Sequence, residues 1–209
     1  MTDERSEGPP VSNDAARLGR DARDAIQPPA AAAFGRVWPT LLIYLVLPAL
    51  LAVFLLRFVA AVTWMVSGSM APALRADSGA VDGVFIDKLT PRLREPGRGE
   101  IVYFRSPTGE WVCKRVVGLP NEEVELKDGL VVVNGRAVVD HPALARIKYV
   151  NGGHLEPGTR VRIRPGNLLV LGDDSSDSWD SRYFGCVPAG EIAGLARAVI
   201  WPPSRIGWL

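Results

Sequence analysis

The chain has 209 residues, 47% of them hydrophobic, with 24 basic and 23 acidic side chains and a formal net charge of +1. That length accommodates one membrane segment and one globular domain of ordinary size. The even charge balance argues against a nucleic-acid partner, which needs a concentrated basic face. The two cysteines, Cys113 and Cys186, have neither C-x-x-C spacing nor a histidine cluster nearby, so no zinc site and no other metal or cofactor is expected. They could pair in an oxidising compartment, but two unpaired thiols is the favoured reading.

Residues 1–36 are polar, then rich in Pro and Ala, and have no sustained apolar period; they read as a disordered N-terminal segment. From Val37 to Leu56 there is no charge. About 20 residues at ~1.5 Å each match a ~30 Å hydrocarbon core. Arg57 interrupts the run and Phe58 to Val62 extend it, so a transmembrane helix is predicted over 37–62. Arg57 can snorkel to the interface, and Trp38 and Trp64 suit the two aromatic belts. A buried core helix fits so long an uncharged run poorly. A cleaved leader fits poorly too, given the long polar stretch before the run and the absence of a small-residue cleavage site. Arg17, Arg20, Arg23 and Arg36 precede the span. The positive-inside rule therefore puts the N-terminus in the cytoplasm and residues 63–209 on the extracytoplasmic side.

Beyond Trp64 the pattern is short apolar runs separated by turn signals. Strands are predicted at Ala80–Ile86, Gly99–Arg105, Trp111–Val117, Glu123–Leu126, Leu130–Val133, Arg136–Val139, Val161–Ile163 and Asn167–Gly172. A helical turn around Ala189–Leu195 precedes a last strand, Ala196–Trp201. Asp128-Gly129 and Asn134-Gly135 are hairpin signals, because those residues reach positive φ at low cost. The expected fold is mainly β: an antiparallel β-sheet domain preceded by one N-terminal transmembrane helix.

Two segments suggest chemistry. Ser67-Gly68-Ser69-Met70-Ala71-Pro72 follows the span by a few residues, which places a serine at a membrane surface. Serine is a weak nucleophile and needs a base. Lys114, in Trp111-Val112-Cys113-Lys114-Arg115-Val116-Val117, shares a strand face with Val112 and Val116. Burial among valines would lower a lysine pKa from its usual ~10.4 toward neutrality. Read alone, the first segment also fits a simple turn, and the second an edge lysine with its ammonium in water. A third segment, Gly172 to Gly185, is rich in Asp and Ser. It lacks EF-hand spacing and otherwise reads as a solvated acidic turn.

In order, these blocks resemble bacterial type I signal peptidases, the membrane-bound Ser-Lys endopeptidases. Ser67 to Leu74 is similar to S-x-S-M-x-P-T-L. Arg98 to Phe104 and Lys114 to Pro120 are similar to R-G-D-I-V-x-F and K-R-V-x-G-L-P. Gly172-Asp173 with Ser178 to Gly185 is similar to G-D-N-x-x-x-S-x-D-S-R-x-x-G. The resemblance runs from about Val62 to the end. It implies Ser69 as nucleophile and Lys114 as general base. It also implies the Ser69 N–H and Ser67 hydroxyl as an oxyanion hole. Ser178 would orient Lys114, and Asp180 and Arg182 would hold that loop. Signal peptides of exported preproteins, cut after small residues as in Ala-x-Ala, are the implied substrates. Met65, Met70, Leu74, Val112 and Cys113 are the candidate pocket residues, and the substrate would pair in extended form near 64–67 and 111–114. Membrane lipid is the other expected partner, at a bacterial cytoplasmic membrane.

Val66, Ala73, Asn121 and Asp174 to Asp177 depart from the usual pattern without removing a proposed catalytic atom. His141 and His154 lie outside all three blocks, which argues against a Ser-His-Asp triad. Three alternatives remain: a specialised relative maturing one secreted or pilus preprotein, a self-cleaving repressor, and a decayed membrane-tethered β scaffold. The span and the absence of a helix-turn-helix disfavour the repressor.

Overall fold

A computed structural model describes residues 38–77 and 80–209. The predicted disordered segment, 1–36, lies outside the described residues. The chain forms two compact units, the first ending at Ala52 and the second spanning Val53–Leu209.

Helix α1, Trp38–Phe58, has 21 residues and is long and apolar enough to cross a membrane. Its Leu42–Val46 stretch is π-helical. Among the described residues, each of its side chains is exposed. The helix ends earlier than the sequence suggests. Ala60, Ala61 and Val62 belong to a strand, because their backbone groups pair with Asp87, Ile86 and Phe85. Apolar composition fits either structure, and the free edge of the neighbouring strand decides between them.

The strands are β1 (Ala60–Trp64), β2 (Ala76–Asp77), β3 (Ala80–Val81), β4 (Gly83–Asp87), β5 (Ile101–Arg105), β6 (Trp111–Gly118) and β7 (Glu123–Lys127). They continue with β8 (Leu130–Val133), β9 (Arg136–Ala137), β10 (Val161–Arg162), β11 (Asn167–Leu171), β12 (Val187–Pro188), β13 (Ile192–Trp201) and β14 (Gly207–Trp208). The main sheet runs β1-β4-β13-β5-β6-β11-β12, with β14 also on β13, and a second sheet runs β10-β7-β8-β9. All these pairings are antiparallel. Helices α2 (Thr90–Leu93) and α3 (Ser181–Phe184) are single turns.

The two dipeptide signals work as expected. Asp128 and Gly129, and Asn134 and Gly135, all have positive φ, and they close β7 onto β8 and β8 onto β9. Two other readings change. The run Ala80–Ile86 breaks at Asp82, whose buried carboxylate accepts from the Arg75 N–H and the Arg205 guanidinium. The helical turn near Ala189 is a 3-10 turn of three residues, and β13 begins at Ile192 because Ile192 and Gly194 pair with β5.

β11 explains its own composition. Leu168 and Val170 enter one buried cluster with Val102, Phe104 and Val116. Leu169 and Leu171 enter another with residues of the second sheet. A strand buried on both faces reads as a continuous apolar run. Leu168→Ala should therefore lower the unfolding free energy of the domain by about 2–5 kcal/mol, measured by urea denaturation.

Candidate active site

Ser69 sits in a 3-10 turn, Gly68–Met70, just after β1. The turn is held by Ala71 N–H to Gly68 O at 2.8 Å and Leu74 N–H to Met70 O at 2.9 Å. Met70 and Leu74 are 0% exposed and pack with Val84 and Ile86. Their reading as pocket residues is therefore corrected. They anchor the turn from beneath, and that anchorage holds Ser69 in place.

Lys114 lies on β6 opposite Val102 of β5. It is 2% exposed. Its Nζ is 2.7 Å from Ser69 Oγ and 2.9 Å from Ser178 Oγ. Burial is the main influence on its pKa, pushing it below the ordinary lysine value; nearby Asp180 pulls the other way and the Arg182 guanidinium adds to the lowering. A neutral amine here can accept the Ser69 proton while still donating to Ser178.

The Ser178–Arg182 loop is cross-linked around Asp180. Ser178 Oγ donates to Asp180 Oδ2 at 2.7 Å, and Gly172 N–H donates to the same oxygen at 3.0 Å. Arg182 Nε and Nη2 reach the two Asp180 oxygens, each at 2.9 Å. Arg182 also donates to the carbonyls of Val150 and Ser178. Ser178 thus spends its proton on Asp180 and offers a lone pair to Lys114.

Two contributors lie within the sequence blocks, which give them no role. Arg115 and Asp173 form a buried two-point ion pair, Nε–Oδ1 2.7 Å and Nη2–Oδ2 2.5 Å, and Arg115 Nη1 donates to Gly99 O. This ties the strand bearing Lys114 to the loop bearing Ser178. An arginine in an apolar strand needs such a partner, and that is the signal from which it could have been found. Gly172 is the other. A Cβ there would stand 2.2 Å from Ser178 Oγ and 2.5 Å from Ser69 O, so only glycine admits this approach.

The Ser69 N–H donates to Ser67 Oγ at 3.3 Å, a long bond that places the two groups side by side. A cavity of about 700 Å³ opens beside Ser69 and Lys114, lined by Met65, Val112 and Cys113 among others. Trp111 and Tyr103 stack in its wall with centroids 5.0 Å apart. Burial pushes the Cys113 thiol up to about 12, so it stays protonated. Cys113 and Cys186 are both free. Neither histidine lines the cavity. β11 covers β6 only from Arg115 to Gly118, which among the described residues leaves the edge of Trp111–Lys114 on that side without a strand.

Residues 39–201 match a family model described as signal peptidase, peptidase S26. A probable signal peptidase I-2 of Synechocystis sp. is 36% identical over 77% of this chain and 72% of its own length. Signal peptidase I of Bacillus caldolyticus is 33% identical over 80% of this chain and 91% of its own. A solved signal peptidase I from Enterococcus faecalis V583 is 29% identical, covering 49% of this chain and 97% of that one, with a TM-score of 0.40.

Two expectations arise from the geometry. Acylation of Ser69 by a serine-directed probe should increase as pH rises through a midpoint below the ordinary lysine pKa, since only the neutral amine is a base. Gly172→Ala should slow that acylation by about 100-fold by displacing Ser178 and the Ser69 turn. Probe-labelling rates measured across pH would check both.

Proposed function

The chain belongs to the signal peptidase family, peptidase S26, and we propose that it removes signal peptides from exported preproteins through a Ser69–Lys114 dyad. The observation that carries this reading is the buried Lys114 amine, held between the hydroxyls of Ser69 and Ser178. The substrate lies extended in the cavity, its backbone bonded to the bare edge of Trp111–Lys114 and to residues 64–67. Met65, Val112 and Cys113 leave room for small residues on either side of a less restricted one, as in Ala-x-Ala.

Neutral Lys114 takes the Ser69 proton as Oγ attacks the scissile carbonyl carbon. The resulting oxyanion accepts from the Ser69 N–H and, once the Ser67 hydroxyl rotates outward, from Ser67. The Lys114 ammonium gives its proton to the leaving nitrogen, the C–N bond breaks, and an acyl group remains on Ser69. Water then loses a proton to Lys114 and attacks the ester carbon, and as the C–Oγ bond breaks Lys114 returns that proton to Ser69 Oγ. Ser178 holds the amine throughout, and Asp180 with Arg182 holds Ser178. The Asp180–Arg182 pair neutralises charge that would otherwise keep Lys114 protonated.

Helix α1 anchors the chain in the bacterial cytoplasmic membrane as a single span. The N-terminus is cytoplasmic, and the β domain lies on the extracytoplasmic face, where signal peptides emerge.

In detergent, with a preprotein bearing Ala-x-Ala, the wild-type chain should release a product whose mass places the cut after the second Ala. Ser69→Ala and Lys114→Ala should each lower the rate by at least about 1,000-fold with circular dichroism unchanged. Lys114→Arg should fail equally, because guanidinium stays charged. Normal processing by any of the three would refute the dyad.

A further inference from the structure

Three cations gather where α1 ends. Lys88 Nζ donates to Leu56 O at 3.0 Å, and Arg92 Nη1 donates to Phe58 O at 2.9 Å. Arg57 lies between those two carbonyls in the chain, its guanidinium carbon 5.8 Å from the Phe58 ring centroid. All three line one cavity of about 770 Å³, whose walls include Pro91, Tyr103 and Trp111 and no carboxylate. The cavity lies wholly in the second unit. Its size is in the range that holds small ligands.

The unsatisfied carbonyls at a helix C-terminus attract cations and explain one N–H from Lys88 and one from Arg92. The remaining donors are unexplained: an ammonium has three and a guanidinium five. Among the described residues, none of the three cations has a carboxylate within 4.0 Å. Asp87, next to Lys88 in the chain, is already engaged by Thr90, Leu89 and Arg197. Like charges brought together repel unless an anion joins them. Leu89 and Leu93, beside the cations in sequence, are 43% and 75% exposed. Basic groups beside bare leucines at the end of an apolar span match the phosphate layer of a bilayer.

We infer that this cavity binds the headgroup of an anionic phospholipid, its phosphodiester set among Arg57, Lys88 and Arg92. The guanidinium forks suit paired phosphate oxygens, and the ammonium adds a point charge. This rests on α1 being the membrane span and not on the dyad chemistry. A bound headgroup would fix the depth of the β domain against the membrane surface.

The full chain in detergent, given phosphatidylglycerol and phosphatidylcholine with matched acyl chains, should retain phosphatidylglycerol in native mass spectra. Arg57→Gln should weaken retention by about fivefold, as expected for one basic group near an anionic surface. The triple variant Arg57→Gln, Lys88→Gln, Arg92→Gln should abolish it, since glutamine keeps an N–H for the helix carbonyls but loses the charge. The exposed pair Arg136→Gln, Arg162→Gln on the second sheet should retain lipid as wild type does. Equal retention of both lipids, or equal loss in the control pair, would overturn the site. Displacement of the lipid by inorganic phosphate at the same concentration would overturn the lipid assignment. Arg57 contacts no backbone acceptor among the described residues, so an unchanged melting temperature for Arg57→Gln keeps the test independent of folding. A chain that remains soluble without detergent would remove the span, and the site with it.

Discussion

A lysine that is 2% exposed, yet among the described residues has no carboxylate in direct contact, is the constraint on which this site depends. Burial makes the ammonium costly, and a touching carboxylate would remove most of that cost by pairing with it. The fold avoids this with a spacer. Ser178 stands between Lys114 and Asp180, accepting from one and donating to the other. Asp180 is in turn paired with Arg182, so its charge is spent locally. Lys114 is thus oriented by hydrogen bonds, and burial holds its pKa below the ordinary lysine value.

Three distant pieces of chain must meet for this to hold, and each has its own fastening. The Ser69 turn is anchored by Met70 and Leu74 in the core. The strand bearing Lys114 is tied to the loop after β11 by the Arg115–Asp173 pair. Gly172 lets that loop approach the Ser69 backbone, where Asp174 N–H donates to Ser69 O at 3.1 Å. A buried ion pair adds little net stability but is costly to break by removing one partner. It therefore serves better as a positioning device than as a source of stability.

The main sheet begins between the end of α1 and the turn bearing Ser69. β1 starts two residues after α1 ends and reaches Trp64, five residues before Ser69. The turn bearing Ser69 is thus joined to the helix end by a single strand. The cations around Leu56–Phe58 sit at the other end of that strand, and Tyr103 and Trp111 line both cavities. Reach from a fixed helix end, together with a seat for lipid phosphate, would restrict where a substrate can present its cleavage site.

The sequence alone determined the features that depend on neighbours along the chain. The apolar run long enough to cross a bilayer, the Asp-Gly and Asn-Gly hairpins, and the three blocks bearing Ser69, Lys114 and Ser178 all have local patterns. What depended on distant partners was decided by the tertiary structure. Residues 60–62 became strand because β4 offered an edge, and Met70 and Leu74 went into the core although their neighbours suggested a pocket. The Arg115–Asp173 pair and the cluster of Arg57, Lys88 and Arg92 each join residues well apart in sequence, and the edge of Trp111–Lys114 is bare because β11 stops pairing at Arg115. Periodicity reports which face a side chain takes; only the closed fold reports what that face meets.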